Sequence, residues 1–240
     1  MQLKVVCDNR VYDRKLDVCW GFSCLVGESL LFDTGESEKV LLENMQKMGI
    51  SLENISTVII SHDHYDHTGG LAGLLRKNHN VRVYGLPGFS SSFKEKVKSS
   101  GAKLIEESKF TQIMPNLYLT GEMSTYYGNS PLSEQSLVIR TEHGLVIVTG
   151  CSHPGIIKII EKVRENLTEP TYLVMGGFHL MDKDERVVEM IVKRFRELGI
   201  KKVGPTHCTG EEAIEMFRKE YKDDFIEVGA GRMIEIILDS

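Results

Sequence analysis

No run of 18 apolar residues occurs anywhere in the chain, so no membrane span is expected. The N-terminus, Met1-Gln2-Leu3-Lys4-Val5-Val6-Cys7-Asp8-Asn9, lacks the apolar region of a signal peptide. The five cysteines, Cys7, Cys19, Cys24, Cys151 and Cys208, contain no C-x-x-C pair. An odd, unpaired set reads as reduced thiols in a cytoplasmic protein. Positive charge is not in excess. Lysine and arginine number 29 against 34 acidic residues, a formal net charge of −5 that argues against a nucleic-acid partner. No composition shift, low-complexity tract or short repeat marks a linker, so residues 1–240 read as one domain. With 41% hydrophobic residues, the chain can bury a sizeable core.

What the chain does have is strands, in two kinds of context. Gly21–Val26 and Ser29–Phe32 form a hairpin pattern around Gly27-Glu28. Thr57–Ile60, Tyr172–Met175 and Lys202–Pro205 are apolar runs, each followed by a histidine-bearing turn and then a helical pattern. Helices are expected over Ser37–Met48, Leu71–Asn78, Asp184–Leu198 and the stretches after Gly155 and Gly210. Arg232–Leu238 reads as a closing strand. Strands that come both in hairpins and in strand-helix units exclude a simple Rossmann alternation. They fit an α/β (α+β) fold of two mixed sheets packed face to face with helices outside. Gly121–Gln135 is the longest polar stretch and reads as a loop, either exposed or lying over a site.

The chemistry concentrates in Ser61-His62-Asp63-His64-Tyr65-Asp66-His67-Thr68-Gly69-Gly70. Three histidines and two aspartates within six positions are hard to explain as packing. His62 and His64 are two apart, which in extended chain points both side chains to one side. Asp66 and His67 lie past the turn. Three later turns repeat the design, with His153, His179 and His207 each just beyond a strand. Strands of a sheet end along a common edge, so these loops can converge. His62, His64 and His153 make one ligand set for a divalent ion, and Asp66, His67 and His207 a second. Imidazole and carboxylate suit zinc, manganese and iron alike; precedent favours zinc. Two such ions ~3.5–4 Å apart would lower the pKa of a shared water to about 7. Asp33, before Gly35 at a strand end, is either a turn residue or an orienting partner of a ligand histidine. Thr209 with Glu212 reads as a capping box. Cys151 and Cys208 flank ligand histidines and are either soft extra ligands or small buried residues, the second reading being favoured. His79 and His143 are taken as surface residues.

The Ser61–Gly70 run, preceded by Leu31-Phe32-Asp33-Thr34-Gly35, resembles the signature of the metallo-β-lactamase superfamily. Gly150-Cys151-Ser152-His153-Pro154-Gly155, Gly176-Gly177-Phe178-His179-Leu180, Thr206-His207-Cys208-Thr209-Gly210 and Gly229-Ala230-Gly231-Arg232 narrow it. Together they resemble the subfamily named for the 7,8-dihydropterin-6-methyl-4-(ribofuranosyl)aminobenzene-5′-phosphate synthase. The resemblance implies a four-layer αβ/βα sandwich with two metal ions at one edge of its sheets. It also exposes a departure: many members carry a metal-bridging aspartate in the fourth motif, where this chain has His179. His179 is then either a terminal ligand or an acid acting on substrate. With Asp66 as the single acid on two divalent ions, the site keeps a positive charge and favours a small anionic substrate, phosphate or diphosphate. A hydrolase-type enzyme is the leading expectation, with Asp66 and His179 in catalytic roles. The alternatives are a diphosphate-releasing aryl transfer and a non-catalytic metal-binding protein. Diiron redox relatives carry a glutamate where His64 stands, and a flavin domain, neither of which is present.

Overall fold

The computed structural model describes residues 1–239. In the first half, β1 (Gln2–Asp8), β2 (Phe22–Val26) and β3 (Leu30–Phe32) lead into α1 (Glu38–Lys47). Then come β4 (Thr57–Ile59), α2 (Tyr65–Thr68), α3 (Leu71–Lys77), β5 (Arg82–Gly85), α4 (Ser91–Ser99) and β6 (Lys103–Glu106). The second half opens with β7 (Thr111–Met114), β8 (Leu117–Leu119), β9 (Met123–Tyr127), β10 (Ser130–Glu134), β11 (Leu137–Thr141) and β12 (Gly144–Thr149). It ends with α5 (Ile156–Asn166), β13 (Thr171–Gly177), α6 (Glu185–Glu197), β14 (Lys202–Thr206), α7 (Glu211–Tyr221) and β15 (Met233–Glu235). One sheet has the order β15-β1-β2-β3-β4-β5-β6, the other β14-β13-β12-β11-β8-β7. Both are mixed: β3 to β6 run parallel in the first, β12 to β14 in the second, and the remaining pairs are antiparallel.

The two-residue period of each strand divides its side chains between two apolar layers. Leu30 and Phe32 of β3 face Val146 and Val148 of β12 and Leu173 and Met175 of β13, in the layer between the sheets. Leu31, from the same strand, points outward to Leu41 and Met45 of α1 and Leu74 of α3. Leu145, Ile147 and Val174 point outward on the other side, to Ile160 of α5, Phe195 of α6 and Phe217 of α7. Three apolar layers between four layers of elements make the αβ/βα sandwich.

Local signals set most boundaries. Ser37 caps α1 by accepting from the Val40 amide, and Asp184 caps α6 by accepting from the Val187 amide. The closing strand is shorter than its pattern, with β15 spanning Met233–Glu235 and an isolated bridge joining Leu238 to Thr141. Two expectations are overturned. The polar stretch Gly121–Gln135 is not a loop. Its Thr125-Tyr126-Tyr127 segment is β-forming and Gly128-Asn129 makes a two-residue turn, so β9 and β10 close into a two-stranded hairpin. The capping box at Thr209 does not form. The Thr209 hydroxyl donates to the Thr206 carbonyl at 2.6 Å and accepts from the Phe178 amide at 3.0 Å, and α7 begins at Gly210 with φ 81° instead. Among the described residues, no helix is long and apolar enough to cross a membrane.

Candidate metal centre

The histidine turns follow the C-terminal ends of parallel strands: β4 for His62, β12 for His153, β13 for His179, β14 for His207. Equal register along a parallel sheet brings these ends to one edge, where the crevice of an open α/β sheet lies. Buried side chains fix the turns beneath. Phe178 packs its ring 5.4 Å from both Phe195 and Phe217, which anchors the chain one residue before His179. Gly150 is obligatory: a Cβ there would lie 2.1 Å from Ser61 Oγ. Six non-glycine residues adopt left-handed φ among the described residues, and four of them, Asp33, Ser152, His179 and His207, stand at this edge. Strained backbone of this kind persists where surrounding contacts over-determine it, and it clusters at functional sites.

Two groups of side chains gather there. His62, His64 and His153 form the first, and Asp66, His67, Cys151 and His207 the second. In the second, Asp66 Oδ2 is 3.5 Å from His67 Nε2 and 3.3 Å from His207 Nε2. Cys151 Sγ is 3.2 Å from His67 Nε2 and 3.3 Å from His207 Nε2. His179 makes a third combination with Cys151 and His153, and its ring centroid lies 4.4 Å from that of His153. Every site residue expected from the sequence is thus at this edge. Asp63, inside the same run, is not: its carboxylate turns away to accept from the Ser90 amide at 2.7 Å. His79 and His143 are exposed and remote from the groups.

Each buried imidazole is held through Nδ1. Asp33 accepts from the Ser61 amide and the Ser61 hydroxyl, both at 2.7 Å, and its Oδ2 lies 2.7 Å from His67 Nδ1. The same Ser61 oxygen is 2.9 Å from His62 Nδ1. Glu134 accepts from the amides of Cys151, Ser152 and His153, and its Oε2 is 2.9 Å from His153 Nδ1. Asn9 Oδ1 is 3.3 Å from His207 Nδ1. With Nδ1 engaged, Nε2 is left for the centre. His62 Nε2 is buried with no hydrogen-bond partner, an expense of about 1–3 kcal/mol unless something else meets that lone pair. Divalent ions fit this donor set. An oxygen acceptor behind the imidazoles of His62, His67, His153 and His207 is the arrangement that orients metal-bound histidine.

The electrostatics separate the two groups. Burial, reinforced by neighbouring imidazoles, pushes His62 well below the ordinary histidine value. Burial also lowers His64. Burial works the same way on His67, but the Asp33 and Asp66 carboxylates outweigh it and push His67 up to about 10. Burial would raise Asp66, yet hydrogen bonds to His207 and His67 hold it far below the carboxylate range. Burial, with Cys208 alongside, raises Cys151. A hydrogen bond to the Cys208 thiol raises His179.

A pocket of about 310 Å³ opens over His64, Asp66, Cys151, His153 and His179. Trp20, Tyr65 and Tyr127 wall it, with Lys183 at its rim. Tyr127 arrives from the β9–β10 hairpin, its ring centroid 5.0 Å from His64 and 5.5 Å from His153. Three residues escape sequence reasoning. Glu134 and Asn9 lie far along the chain from the histidines they hold, so no spacing marks them. Cys151 had a signal, its place between Gly150 and His153 at a strand end, that the small-buried-residue reading set aside.

The superfamily model for metallo-β-lactamases matches residues 22–161. The chain belongs to this superfamily. It is 31% identical to the 7,8-dihydropterin-6-methyl-4-(β-D-ribofuranosyl)-aminobenzene-5′-phosphate synthase of Methanocaldococcus jannaschii, over 88% of this chain and 85% of that protein. A metal-dependent hydrolase of the β-lactamase superfamily, known by crystal structure, shares 35% identity and a TM-score of 0.83, covering 99% of both chains. A diphosphatase of the PhnP family shares the fold, with a TM-score of 0.63 at 12% identity over 99% of each chain.

Proposed function

We propose that this metallo-β-lactamase superfamily member is a metal-dependent enzyme that acts on a small phosphate- or diphosphate-bearing substrate at a dinuclear centre, with zinc the natural occupant and manganese or iron alternatives. The observation that carries this reading is the donor set. Asp66 is the single carboxylate in ligand groups otherwise made of imidazoles and Cys151. Two divalent ions held there keep a positive charge facing the pocket, and that charge selects anions. Bound ions supply Lewis acidity: they polarise a phosphoryl oxygen, activate water and neutralise a leaving phosphate.

The chain's own residues provide the rest. His62, His64 and His153 hold one ion, with His64 and His153 lining the pocket. Asp66, His67 and His207 would hold the other. Lys183 offers a cation at the rim for the far end of an anionic substrate. His179 faces the pocket beside His153, within reach of a leaving-group oxygen as proton donor. The Trp20, Tyr65 and Tyr127 walls exclude water from one side and receive a flat group.

Hydrolysis of a phosphoester is the first reading. A second, transfer with loss of diphosphate, is favoured by the 31% identity to the M. jannaschii synthase and by those aromatic walls. Both use the same cationic clamp on an anionic leaving group. The test is elemental analysis followed by turnover. Two ions per chain, hydrolysis of bis-p-nitrophenyl phosphate and inhibition by millimolar phosphate or diphosphate are expected for the hydrolase. Diphosphate release from a dihydropterin-methyl diphosphate only when an arylamine is present selects the transfer. One ion or none, with no turnover of either substrate, reverts the protein to a non-catalytic metal binder.

A further inference from the structure

We propose that Cys151 is itself a metal ligand: its sulfur completes the coordination of the ion held by Asp66, His67 and His207 and bridges toward the ion on the His153 side. The inference rests on the dinuclear reading above and adds a sulfur donor that no acid-and-imidazole account contains.

The geometry is that of one coordination sphere. A tetrahedral ion with bonds of about 2.0–2.3 Å spaces its ligand atoms roughly 3.3–3.7 Å apart. Four of the six separations in the Asp66, His67, Cys151, His207 group lie between 3.2 and 3.5 Å, and two of these four involve Cys151 Sγ. Hydrogen bonding alone does not account for the arrangement. The thiol has one proton, and two imidazole nitrogens lie equally near it. Both imidazoles have Nδ1 facing an oxygen acceptor, Asp33 for His67 and Asn9 for His207, so both turn Nε2 to the sulfur. Asp66 Oδ2 faces the same point, 3.5 Å from His67 Nε2 and 3.3 Å from His207 Nε2. Four ligating atoms with these separations converge on one point, which a single cation fills.

The same sulfur belongs to the Cys151, His153, His179 combination, so it stands between the two groups, the place where a bridging anion joins two ions. The nearby buried His62 Nε2, without a partner, is the independent sign that the first group also awaits an ion. A carboxylate is the usual bridging anion, and the histidine that replaces it in the fourth motif supplies no negative charge; a thiolate restores it. On coordination the S–H proton passes to solvent and a metal–sulfur bond forms, with no change in oxidation state.

The test is cobalt loading of the whole protein, read by absorption and by metal content. Wild type is expected to take up two cobalt ions per chain and to show an intense near-ultraviolet sulfur-to-cobalt charge-transfer band. Cys151→Ser is expected to lose the band and to bind one of the two ions at least about ten-fold more weakly, the scale on which lost support at a metal site is felt. Cys208→Ser is expected to keep the band. Cys151→Asp, which restores an anionic bridge, is expected to hold two ions without the band. Two ions and no band in wild type, or a band that survives Cys151→Ser, overturns the role of Cys151 alone. Failure of wild type to bind cobalt overturns the dinuclear reading together with it.

Discussion

The two ligand groups sit side by side at one sheet edge but are built differently. His62, His64 and His153 are all imidazoles, and two of the three reach the pocket wall. Asp66, His67, Cys151 and His207 bring a carboxylate and a sulfur, and three of the four are fully buried. A closed four-donor set holds an ion structurally, while a three-donor set with one side open keeps a position for substrate. Asp66 and Cys151 also line the pocket, so on the proposed reading the four-donor group would lend fixed charge while the three-histidine group would keep an open position toward substrate. Four residues hold them in place from behind, Asp33 and Asn9 at the buried group and Ser61 and Glu134 at the other, with Ser61 also bonded to Asp33 and Glu134 to the Cys151 amide.

The largest effect comes from removing an open-side ligand. His64→Ala leaves the buried group intact and is expected to cost one ion per chain and roughly 10³-fold or more in turnover, the several kcal/mol that a Lewis acid supplies. Elemental analysis beside a rate measurement checks both, and full metal content in the variant refutes the assignment of His64. His207→Ala, on the buried side, is expected to lose the other ion and to lower thermal stability more. Its ring is buried, and its removal leaves Asp66 without a partner that now holds its charge.

Glu134→Gln sharpens the contrast from behind. The carboxylate is fully buried and takes four hydrogen bonds from the His153 turn. Gln preserves shape but loses the charge that His153 Nδ1 meets. A 10–100-fold loss of affinity is expected for the three-histidine ion, with the buried ion unchanged. Equal weakening of both ions would show that the groups do not act separately.

How much of this was legible in the sequence follows from what kind of pattern each part leaves. The hairpins and the strand-helix units are local patterns, and they predicted two mixed sheets packed face to face with helices outside, while the four-layer αβ/βα arrangement was what the family resemblance implied. The histidines were legible because each follows a strand, and strand ends meet. Asp33 was half legible, as a strand-end acid with two possible jobs. Glu134 and Asn9 were not legible, because they act across 19 and 198 residues of chain, a separation that only folding closes. The β9–β10 hairpin was misread because its exposed strands carry polar and aromatic residues without an apolar period. The two-residue Gly128-Asn129 turn was the stronger signal there.

Acid should separate the two groups as well. His62 is held well below the ordinary histidine value, so it is neutral near pH 7 and sheds no proton on binding an ion, and burial lowers His64 in the same direction. His67 is raised to about 10, so without metal it carries a proton throughout that range. An ion must displace that proton. With the Cys151 thiol proton released as well, affinity of the buried group should rise by up to about a hundred-fold per pH unit, ten-fold for each proton released, more steeply than that of the open group. The stability of the metal-free protein has the opposite sign. A histidine whose folded value exceeds its unfolded value stabilises fully below about pH 6.5, and that contribution is lost as pH rises toward about 10. Titration with a metal-buffered indicator at pH 6, 7 and 8 reads the first effect, and denaturant unfolding with chelator present reads the second. Proton release from the open group instead would reverse the comparison.

The smallest effect tests the pocket wall on the open side. Tyr127 is exposed, comes from a hairpin that forms a two-stranded sheet of its own, and sets its ring edge-on to His64, His153 and His179. It holds no metal donor in either group. Tyr127→Ala should leave both ions and the folding stability within about 0.5 kcal/mol, as for a surface change, and raise KM by roughly five- to ten-fold, the 1–1.4 kcal/mol that an aromatic contact supplies. Tyr127→Phe separates the ring from its hydroxyl. If the wall receives a flat group by stacking, Phe keeps the wild-type KM; if the hydroxyl binds the anion, Phe behaves as Ala. A fall in kcat with KM unchanged, in either variant, would move Tyr127 from the wall into the reacting centre and erase the division between an ion that faces substrate and a pocket that merely holds it.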